Sequence, residues 1–573
     1  MSYTVGQYLA DRLVQIGLKD HFAIAGDYNL VLLDQFLKNK NWNQIYDCNE
    51  LNCGFAAEGY ARANGAAACV VTYTVGAISA MNSALAGAYA ENLPVLCISG
   101  APNCNDYGSG RILHHTIGKP EFTQQLDMVK HITCAAESVT QASEAPAKID
   151  HVIRTMLLEQ RPAYIDIACN ISGMECPRPG PIEDLLPQYA ADNKSLTSAI
   201  DAIAKKVAAS EKVTLYVGPK VRPGKAKEAA VALADALGCA VTVGPASMSF
   251  FPAKHPGFRG TYWGIVSTGD ANKVVEEAET LIVLGPNWND YATVGWKAWP
   301  KGPGVVTIDE KSAQVDGQVF SGLNMKALVE GLAKKVSKKP ATAESSKAPH
   351  FEYPVAKPDA KLTNAEMARQ IMALLDDNTT LHAETGDSWF NVKDMNWPNG
   401  LRIETEMQYG HIGWSIPSGF GGAIGSPERK HIIMCGDGSF QLTCQEVSQM
   451  IRYKLPVTIF LIDNHGYGIE IAIHDGPYNY IQNWNFAKLM EVFNGEGEEC
   501  PYSHNKNGKS GLGLKATTPA ELADAIKQAE ANKEGPTLIQ VVIDQDDCTK
   551  DLLTWGKEVA KTNARSPVVT DKA

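Results

Sequence analysis

Two polar side chains in the last third of the chain have the arrangement of a metal and phosphate site. Asp437 follows the apolar run HIIMC, and Asn464 follows the apolar run VTIFLI, with one predicted helix between them. Ligands bind where the carboxyl ends of parallel strands meet at one edge of a sheet. A carboxylate and an amide oxygen are hard ligands, which suit Mg²⁺ that shares its remaining positions with phosphate oxygens and water. The pattern therefore predicts a site for Mg²⁺ and a phosphate-bearing ligand.

The turn around Asp437 suits close approach of a phosphate. Gly436 and Gly438 flank the carboxylate, and the helix that follows, with Ser439 in its first turn, offers free N–H groups and the positive end of its dipole. A Gly-Asp-Gly triplet alone is a weak signal, because such triplets occur by chance in turns. The triplet followed one helix later by a strand-terminal Asp-Asn pair is a strong one.

Four more residues able to transfer protons lie near the N-terminus. Asp27 follows the predicted strand 22–25, Glu50 follows the predicted strand 45–48, and His114 and His115 lie in a loop after the fourth predicted strand. By themselves these positions are also compatible with a glutamate that opens a helix and with surface histidines. Metal binding by the histidines is disfavoured, because no third ligand lies at a suitable sequence spacing.

Three blocks of alternating strand and helix patterns must position these residues. In the first, Thr4 and Gln7 predict a capping box before an amphipathic helix. The middle block contains the strand patterns KVTLYVG, TLIVLG and GVVTID but no G-x-G-x-x-G, so it predicts a Rossmann-like domain without a bound dinucleotide. Strands that alternate with helices predict an α/β fold with three doubly wound, parallel-sheet domains.

The boundaries of the three domains follow from composition. We predict an N-terminal domain at 1–185, a middle domain at 186–345 and a C-terminal domain at 360–573, with a Lys-, Ala-, Ser- and Pro-rich linker over 336–360. Leu93-Pro94-Val95 and Leu455-Pro456-Val457 precede similar apolar runs in the first and third blocks. This weak internal likeness predicts that the first and third domains are related.

Composition excludes several classes of protein. The 573-residue chain has a net charge of −12 without a basic stripe, which argues against nucleic-acid and anionic-membrane partners. No apolar run is long enough to span a bilayer, and the N-terminus lacks the basic and apolar segments of a signal peptide. The 13 cysteines are scattered without a CxxC pair, as in reduced proteins. We therefore predict a cytoplasmic protein.

The segments named above, together with others along essentially the whole chain, resemble the bacterial pyruvate decarboxylases of the thiamine diphosphate-dependent 2-keto acid decarboxylase family. The resemblance is carried by AGDYNLVLLD, CNELNCGFAAEGYARA, the His-His pair, AETGDSWF, EMQYGHIGWSIPSGFG, IHDGPYN and the GDGS…DN motif. It implies non-oxidative decarboxylation of pyruvate to acetaldehyde and CO₂ through the ylid and enamine of thiamine diphosphate. It also makes the first domain the pyrimidine-binding one and the third the diphosphate- and Mg²⁺-binding one.

The resemblance also implies roles for individual residues. The implied catalytic residues are Asp27, Glu50, His114, His115 and Glu470. The implied cofactor contacts are Glu50, Thr385, Gly410, Ile412, Asp437, Gly438, Ser439, Asn464 and Ile469. Asp437, Asn464 and the Gly466 carbonyl would bind Mg²⁺, and Tyr291, Trp389 and Ile469 would crowd the substrate pocket in favour of a methyl group. In the family the first-domain residues of one subunit meet the third-domain residues of its neighbour, which implies a dimer, usually paired into a homotetramer.

Alternatives to this function remain at the level of sequence. Family relatives act on larger 2-keto acids such as indolepyruvate or phenylpyruvate, and others join two keto acids to form acetolactate. A non-catalytic cofactor-binding protein of the same fold is a further alternative, although such a protein would be expected to lack the acid–base residues. Two positions depart from the family: Gly468 replaces a Thr or Ser two residues before Glu470, which predicts weaker cofactor retention, and Asp463 replaces a residue that is more often Asn in relatives.

Overall fold

The computed structural model describes residues 3–186, 193–338, 347–495 and 510–567, so residues 339–346 of the predicted linker lie outside the described part. Three separate sheets, each accompanied by helices, form the framework of the chain. None of the helices in the described ranges has the length and apolar character needed to cross a membrane. Every cysteine within the same ranges is free of a disulfide, in agreement with the sequence.

The first sheet contains six parallel strands. They are β1 (Asp20–Ala23), β2 (Asn43–Tyr46), β3 (Ala67–Val71), β4 (Val95–Ala101), β5 (Ala136–Val139) and β6 (Ala163–Ala168). The helices of this part are α1 (Val5–Gln15), α2 (Leu30–Phe36), α3 (Glu50–Asn64), α4 (Val75–Ala80), α5 (Ala86–Glu91), α6 (Gln124–Val129) and α7 (Ala145–Glu159), with a π-helical stretch at Met81–Leu85. The strand order is β2-β1-β3-β4-β6-β5.

The middle sheet is mostly parallel and ends in an antiparallel edge. Its strands are β7 (Val213–Val217), β8 (Ala240–Val243), β9 (Phe258–Thr261), β10 (Thr280–Leu284), β11 (Val305–Ile308), β12 (Ser312–Val315) and β13 (Gln318–Ser321). Its helices are α8 (Asn193–Ala208), α9 (Lys227–Leu237), α10 (Ala271–Glu276) and α11 (Met325–Lys335). The order is β13-β12-β11-β10-β7-β8-β9, in which β12 pairs antiparallel with both of its neighbours, β11 and β13.

The third sheet again contains six parallel strands. They are β14 (Thr379–Ala383), β15 (Arg402–Glu404), β16 (Lys430–Gly436), β17 (Thr458–Asp463), β18 (Leu512–Ala516) and β19 (Thr537–Val542). The helices are α12 (Asn364–Met372), α13 (Asp387–Lys393), α14 (Ser415–Gly425), α15 (Asp437–Thr443), α16 (Val447–Arg452), α17 (Gly468–Ile473), α18 (Phe486–Phe493), α19 (Pro519–Ala531) and α20 (Lys550–Asn563).

The first and third sheets share one topology. The third sheet has the order β15-β14-β16-β17-β19-β18, so in both sheets the strands of the domain lie in the order second, first, third, fourth, sixth, fifth. The three-domain α/β prediction is thus confirmed, and the shared order supports the predicted relation between the first and third domains. The exact domain boundaries stay a prediction.

Local sequence signals give the element types correctly and their ends less well. The capping box of Thr4 and Gln7 is present, and α3 ends at Gly65 with a φ of 85°. The strands predicted at 22–25 and 45–48 both begin two residues earlier, because Asp20 pairs with Asn43 at the start of β1 and β2. These polar residues join the strands through backbone hydrogen bonds, which an apolar pattern does not reveal.

The first and third domains pack directly on each other through α3 and α14. A Cβ at Gly59 would lie 2.0 Å from the carbonyl oxygen of Ser418, and one at Gly421 would lie 1.8 Å from that of Ala56. Only glycine permits this approach of the two backbones. The contact sets the start of α3, where Glu50 is the first residue, against the third domain.

A buried pair of carboxyl groups lies in the same interface. Asp47 follows β2, and Glu446 precedes α16 and accepts a hydrogen bond from the backbone N–H of Cys48 at 3.3 Å. Burial, reinforced by the charge of Glu446, raises the pKa of Asp47 well above its ordinary value, and burial raises the pKa of Glu446 to about 7. The pair therefore retains protons at a pH where exposed carboxyl groups have lost them.

We expect this pair to make the stability of the protein fall as the pH rises. Between the ordinary glutamate pKa of 4.5 and about 7 the folded state binds more protons than the unfolded chain, so the free energy of unfolding decreases with increasing pH across that window. Glu446→Gln should remove part of this pH dependence. At about pH 8 it should increase the free energy of unfolding by up to about 3 kcal/mol and so raise the thermal midpoint. Thermal unfolding at about pH 6 and pH 8 measures it.

The exposed Glu330 provides the matched control for that experiment, because Glu330→Gln makes the same chemical change outside the interface. We expect the Glu330 variant to follow the wild-type pH dependence. An equal pH dependence in the Glu446 variant and the wild type would contradict a proton-holding pair.

Candidate functional site

The turns after β14, β16 and β17 surround one pocket with an empty volume of about 470 Å³ at the carboxyl edge of the third sheet. Seven residues that the sequence predicted for the site line it: Thr385, Ile412, Gly438, Ser439, Asn464, Gly466 and Ile469. The switch between strand and helix at three adjacent strand ends creates this concavity, as expected for an open parallel sheet.

Asp437 connects two of these turns. It is fully buried at the first position of α15, where its Oδ1 accepts from the N–H of Gly438 at 2.7 Å and its Oδ2 accepts from the N–H of Asn464 at 3.1 Å. Burial raises the pKa of Asp437 to about 6, against the lowering effect of the Gly438 N–H. A cation beside the carboxylate would favour its ionised form.

The turn after β17 adds oxygen atoms beside Asp437. Among the described residues the Asn464 side chain has no hydrogen-bond partner, and the carbonyl oxygen of Gly466 accepts from the N–H of Gly468 at 3.1 Å. Gly466 has a φ of 153°, and a Cβ there would lie 2.3 Å from the carbonyl oxygen of Asn479. Glycine is therefore required for this turn, which brings one carboxylate, one amide and one carbonyl group to the same end of the sheet.

The donors of the pocket fit a diphosphate bound through a divalent cation. The Thr385 hydroxyl is buried and has no hydrogen-bond partner within the described part of the chain. Apart from the adjoining residues of the chain, no atom of the described residues lies within 4 Å of a Cβ position at Gly386 or Gly436, which leaves space beside both backbones. Oxygen ligands for a metal, an unpartnered hydroxyl and the N-terminus of α15 thus face one cavity.

The loop of Gly410 and Ile412 forms another wall of the pocket. Ile412 lines it, and Gly410 has a φ of 72°, in the region that favours glycine. The fully buried Glu406 holds this loop, because its Oε2 accepts from the N–H of His411 at 2.9 Å. Burial raises the pKa of Glu406 well above its ordinary value, and the charge of Glu58 acts in the same direction.

At the first sheet the structure brings Asp27 and the two histidines together. His114 Nε2 lies 2.5 Å from Asp27 Oδ2, and His115 Nε2 lies 3.7 Å from Asp27 Oδ1. The His114 ring stacks on Tyr28 with ring centroids 4.9 Å apart, and His115 has a φ of 55°. Three groups that can exchange protons thus occupy one end of this sheet.

Glu50 is the first residue of α3, beside the N-cap residue Asn49. Its carboxylate approaches the backbone of α4, since a Cβ at Gly76 would lie 3.1 Å from Glu50 Oε1. In the described ranges no hydrogen bond or ion pair joins Asp27, Glu50 or the histidines to Asp437 or Asn464. Within the described part of one chain, these two groups, called below the first-domain and third-domain half-sites, therefore share no direct polar contact.

The residues predicted for the substrate pocket lie together between the middle and third domains. The Tyr291 ring lies 6.4 Å from the ring of the fully buried Trp389. Burial raises the pKa of Tyr291, and the charge of the exposed Glu470 raises it further. Ile469, next to Glu470, lines the third-sheet pocket.

Comparison with known proteins identifies the family. Residues 3–130 match the N-terminal TPP binding domain of thiamine pyrophosphate enzymes, residues 200–332 their central domain, and residues 386–541 their C-terminal TPP binding domain. The chain belongs to the thiamine pyrophosphate enzyme family. The three matches follow the three sheets in order.

Relatives match the chain along nearly its full length. The chain is 52% identical over 98% of both chains to probable pyruvate decarboxylase Pdc101 of Schizosaccharomyces pombe. It is 46% identical to a pyruvate decarboxylase of Neurospora crassa, with 99% of this chain and 97% of that protein covered. It is 42% identical to pyruvate decarboxylase 3 of Arabidopsis thaliana, with 98% and 94% covered. These relatives are fungal and plant proteins. The comparisons therefore support a resemblance to pyruvate decarboxylases but not the predicted resemblance to the bacterial ones in particular.

Some residues of this thiamine pyrophosphate enzyme site escaped the sequence analysis. Five further residues line the pocket: Gly386, Asp387, Ser388, Ile462 and Tyr467. The turn after β14 reads ThrGlyAspSer and opens α13, a signal of the same kind as the Gly-Asp-Gly turn. Trp555 of α20 gave no such signal, yet its ring centroid lies 4.7 Å from that of Tyr291. Its position depends on the packing of the last helix.

We expect Gly468→Thr to slow dissociation of thiamine diphosphate from the holoenzyme. Gly468 lines the pocket, and a hydroxyl there would add a donor near the diphosphate, worth about 1 kcal/mol or about fivefold in the dissociation rate. A Cβ at this position would lie 3.2 Å from Asn464 Nδ2, so the amide must shift slightly. Gly468→Ala adds the Cβ without the hydroxyl and is the control. Equal or faster cofactor loss from the Thr variant would contradict the prediction.

Proposed function

We propose that this protein decarboxylates pyruvate non-oxidatively to acetaldehyde and CO₂, using thiamine diphosphate and Mg²⁺, in the cytoplasm. The observation that carries the proposal is the third-sheet pocket. Thr385, Asn464 and Gly466 line it, and the buried Asp437 carboxylate accepts a hydrogen bond from the Asn464 backbone at 3.1 Å. The comparison with known proteins supports the proposal, because this chain is 52% identical to a protein named probable pyruvate decarboxylase, over 98% of the length of each.

The cofactor would be held by the residues that face this pocket. Asp437, Asn464 and the Gly466 carbonyl would bind Mg²⁺, while the Thr385 hydroxyl and the N–H groups at the start of α15 would donate to the diphosphate. Ile412 would support the bent cofactor, and the Gly410 carbonyl would accept from its amino group. Bound there, thiamine diphosphate would supply the carbon nucleophile and the electron sink that decarboxylation of a 2-keto acid requires.

The first-domain residues would manage the protons. Glu50 would hydrogen-bond the pyrimidine ring and fix its tautomer. The carbon that loses CO₂ must gain one proton before acetaldehyde leaves, and the Asp27–His114 contact of 2.5 Å would orient an imidazole for that transfer. His115 and Glu470 would complete the path to solvent.

We also propose that a second copy of the chain completes each site. Val75 and Ile78 on α4, beside Glu50, and Leu442 on α15, beside Asp437, are all exposed in the single chain. Exposed apolar side chains next to both half-sites are expected of an interface. The first-domain half-site of one copy would then face the third-domain half-site of its neighbour, and two such dimers would form a homotetramer.

One assay separates this function from its alternatives. Purified protein with thiamine diphosphate, Mg²⁺ and pyruvate should release acetaldehyde and CO₂ in equal amounts, with acetolactate as a minor product. The proton supply from Asp27 and His114 favours protonation over attack on a second keto acid. Acetolactate as the main product would support carboligation instead, and bound cofactor without any product would support a non-catalytic binding protein.

We expect pyruvate to be preferred over phenylpyruvate by at least about 100-fold in kcat/KM, because Trp389, Tyr291 and Ile469 leave little room for an aromatic group. Ile469→Ala should reduce this preference, whereas Ile473→Ala, on the same helix outside the pocket lining, should not. Steady-state kinetics with both substrates measures it. A higher kcat/KM for phenylpyruvate or indolepyruvate would make the larger 2-keto acid the substrate.

A further inference from the structure

Asp27, His114 and His115 have the composition of a transition-metal site. One ligand atom from each lies within 4.8 Å of the others. Asp27 is 87 residues from His114, so only the fold of the first domain supplies the third ligand that sequence spacing lacks. Two imidazoles and one carboxylate are a common ligand set for Zn²⁺ with an open fourth position.

The distances in this cluster suit Zn²⁺ after a small movement. Bonds of about 2.0–2.1 Å in a tetrahedron place neighbouring ligand atoms about 3.4 Å apart. The separation of 3.7 Å between His115 and Asp27 is close to this value. The 2.5 Å contact between His114 and Asp27 must widen. In the single chain both side chains are more than half exposed, at 59% and 51%, so no contact within the chain prevents them from turning apart.

The backbone around the cluster is already fixed. The His114 ring stacks on the buried Tyr28 with an interplanar angle of 7°, and the Tyr28 hydroxyl donates to the His114 carbonyl oxygen at 3.3 Å. His115 is held at a φ of 55°, a conformation that non-glycine residues keep only when their surroundings impose it. Less conformational entropy is therefore lost when a metal binds.

We propose that Asp27, His114 and His115 form a second metal site, which selects Zn²⁺ over Mg²⁺ and inhibits the enzyme when occupied. Imidazole nitrogens favour Zn²⁺, whereas the oxygen ligands Asp437 and Asn464 favour Mg²⁺, so the two sites differ in their preferred ion. Zn²⁺ would bind to the Nε2 atoms of both histidines. The inhibition rests on the proposed function, because the Nε2 atoms that bind the metal would also transfer the proton. The binding of the metal does not depend on the proposed function.

The test uses holoenzyme with thiamine diphosphate and excess Mg²⁺, dialysed against micromolar Zn²⁺, with zinc per chain measured by elemental analysis. We expect one zinc per chain and parallel loss of acetaldehyde formation. His115→Gln and Asp27→Asn should each weaken zinc binding by at least about tenfold. His350→Gln is the matched control, because His350 and Glu352 form an exposed pair at 3.1 Å without a third ligand, and its zinc binding should equal that of wild type.

The outcomes separate the proposals. Absence of bound zinc, or equal zinc binding in wild type and both cluster variants, would overturn the site. Zinc bound through the cluster with full acetaldehyde formation would overturn inhibition. A protein that binds zinc at the cluster and forms no acetaldehyde in zinc-free buffer would retain the metal site and lose the proposed function.

Discussion

Glu50→Gln should lower kcat for acetaldehyde formation by about 10²–10⁴-fold, the range expected when one proton-transferring group is lost. Glutamine keeps the size and the first-turn position of Glu50 in α3 but cannot exchange a proton with the cofactor pyrimidine. Mg²⁺ affinity should stay within about twofold, because Glu50 lies on the first domain and the Mg²⁺ ligands lie on the third. Turnover and Mg²⁺ binding, measured on the same preparation, give the two quantities.

The control must remove a helix-opening charge without touching the site. Glu521, in the first turn of α19, is exposed and caps its own helix start, so Glu521→Gln reports the effect of a lost N-terminal carboxylate alone. It should leave turnover unchanged. Equal losses of turnover and Mg²⁺ affinity in the Glu50 variant would contradict its role as a proton-exchanging group.

Asp437→Asn should weaken Mg²⁺-dependent binding of thiamine diphosphate by at least about 100-fold, because removal of outer-shell groups alone costs 10–100-fold at metal sites. The carboxylate accepts from two backbone N–H groups, at 2.7 and 3.1 Å, while its charge remains available to a cation. Asparagine loses the charge and one acceptor. Titration of the protein with cofactor at fixed Mg²⁺ measures the change.

Asp463→Asn is the matched control for this substitution. Asp463 ends β17 next to Asn464, and its Oδ2 accepts from the Gln540 side chain at 2.7 Å, whereas Asp437 accepts from the two backbone N–H groups of the pocket turns. We expect the Asp463 variant to bind cofactor within about threefold of wild type. A similar loss in both variants, or full Mg²⁺ binding by the Asp437 variant, would contradict the assigned metal ligand.

The third-domain site is the part that sequence reasoning predicts best. Asp437 and Asn464 each follow an apolar strand directly, and adjacent parallel strands must end at the same edge, so local pattern and topology give the same answer. The open backbone at Gly436 follows from the same reasoning. Short-range signals in the sequence suffice here, because each of these strands is followed directly by the turn that holds its functional residue.

Contacts between distant segments could not be predicted in this way. The approach of Asp27 to His114 depends on the strand order of the first sheet and on the path of a loop. Likewise, the burial of Glu406 and Glu446 follows from packing between domains, which the local sequence pattern around them does not indicate. Their raised pKa values arise from that burial, which no single-residue propensity encodes.

Subunit complementation tests most directly the claim that pyruvate is decarboxylated at a site shared by two copies of the chain. Co-expressed Glu50→Gln and Asp437→Asn chains, each with its own affinity tag, allow the mixed assembly to be purified. Each mixed dimer should contain one site with both substitutions and one intact site, and so should form acetaldehyde at about half the wild-type rate. Each variant alone should be nearly inactive. A mixed dimer as inactive as its parents, beside an active wild type, would contradict the shared site, and a wild type that forms no acetaldehyde would contradict the function itself.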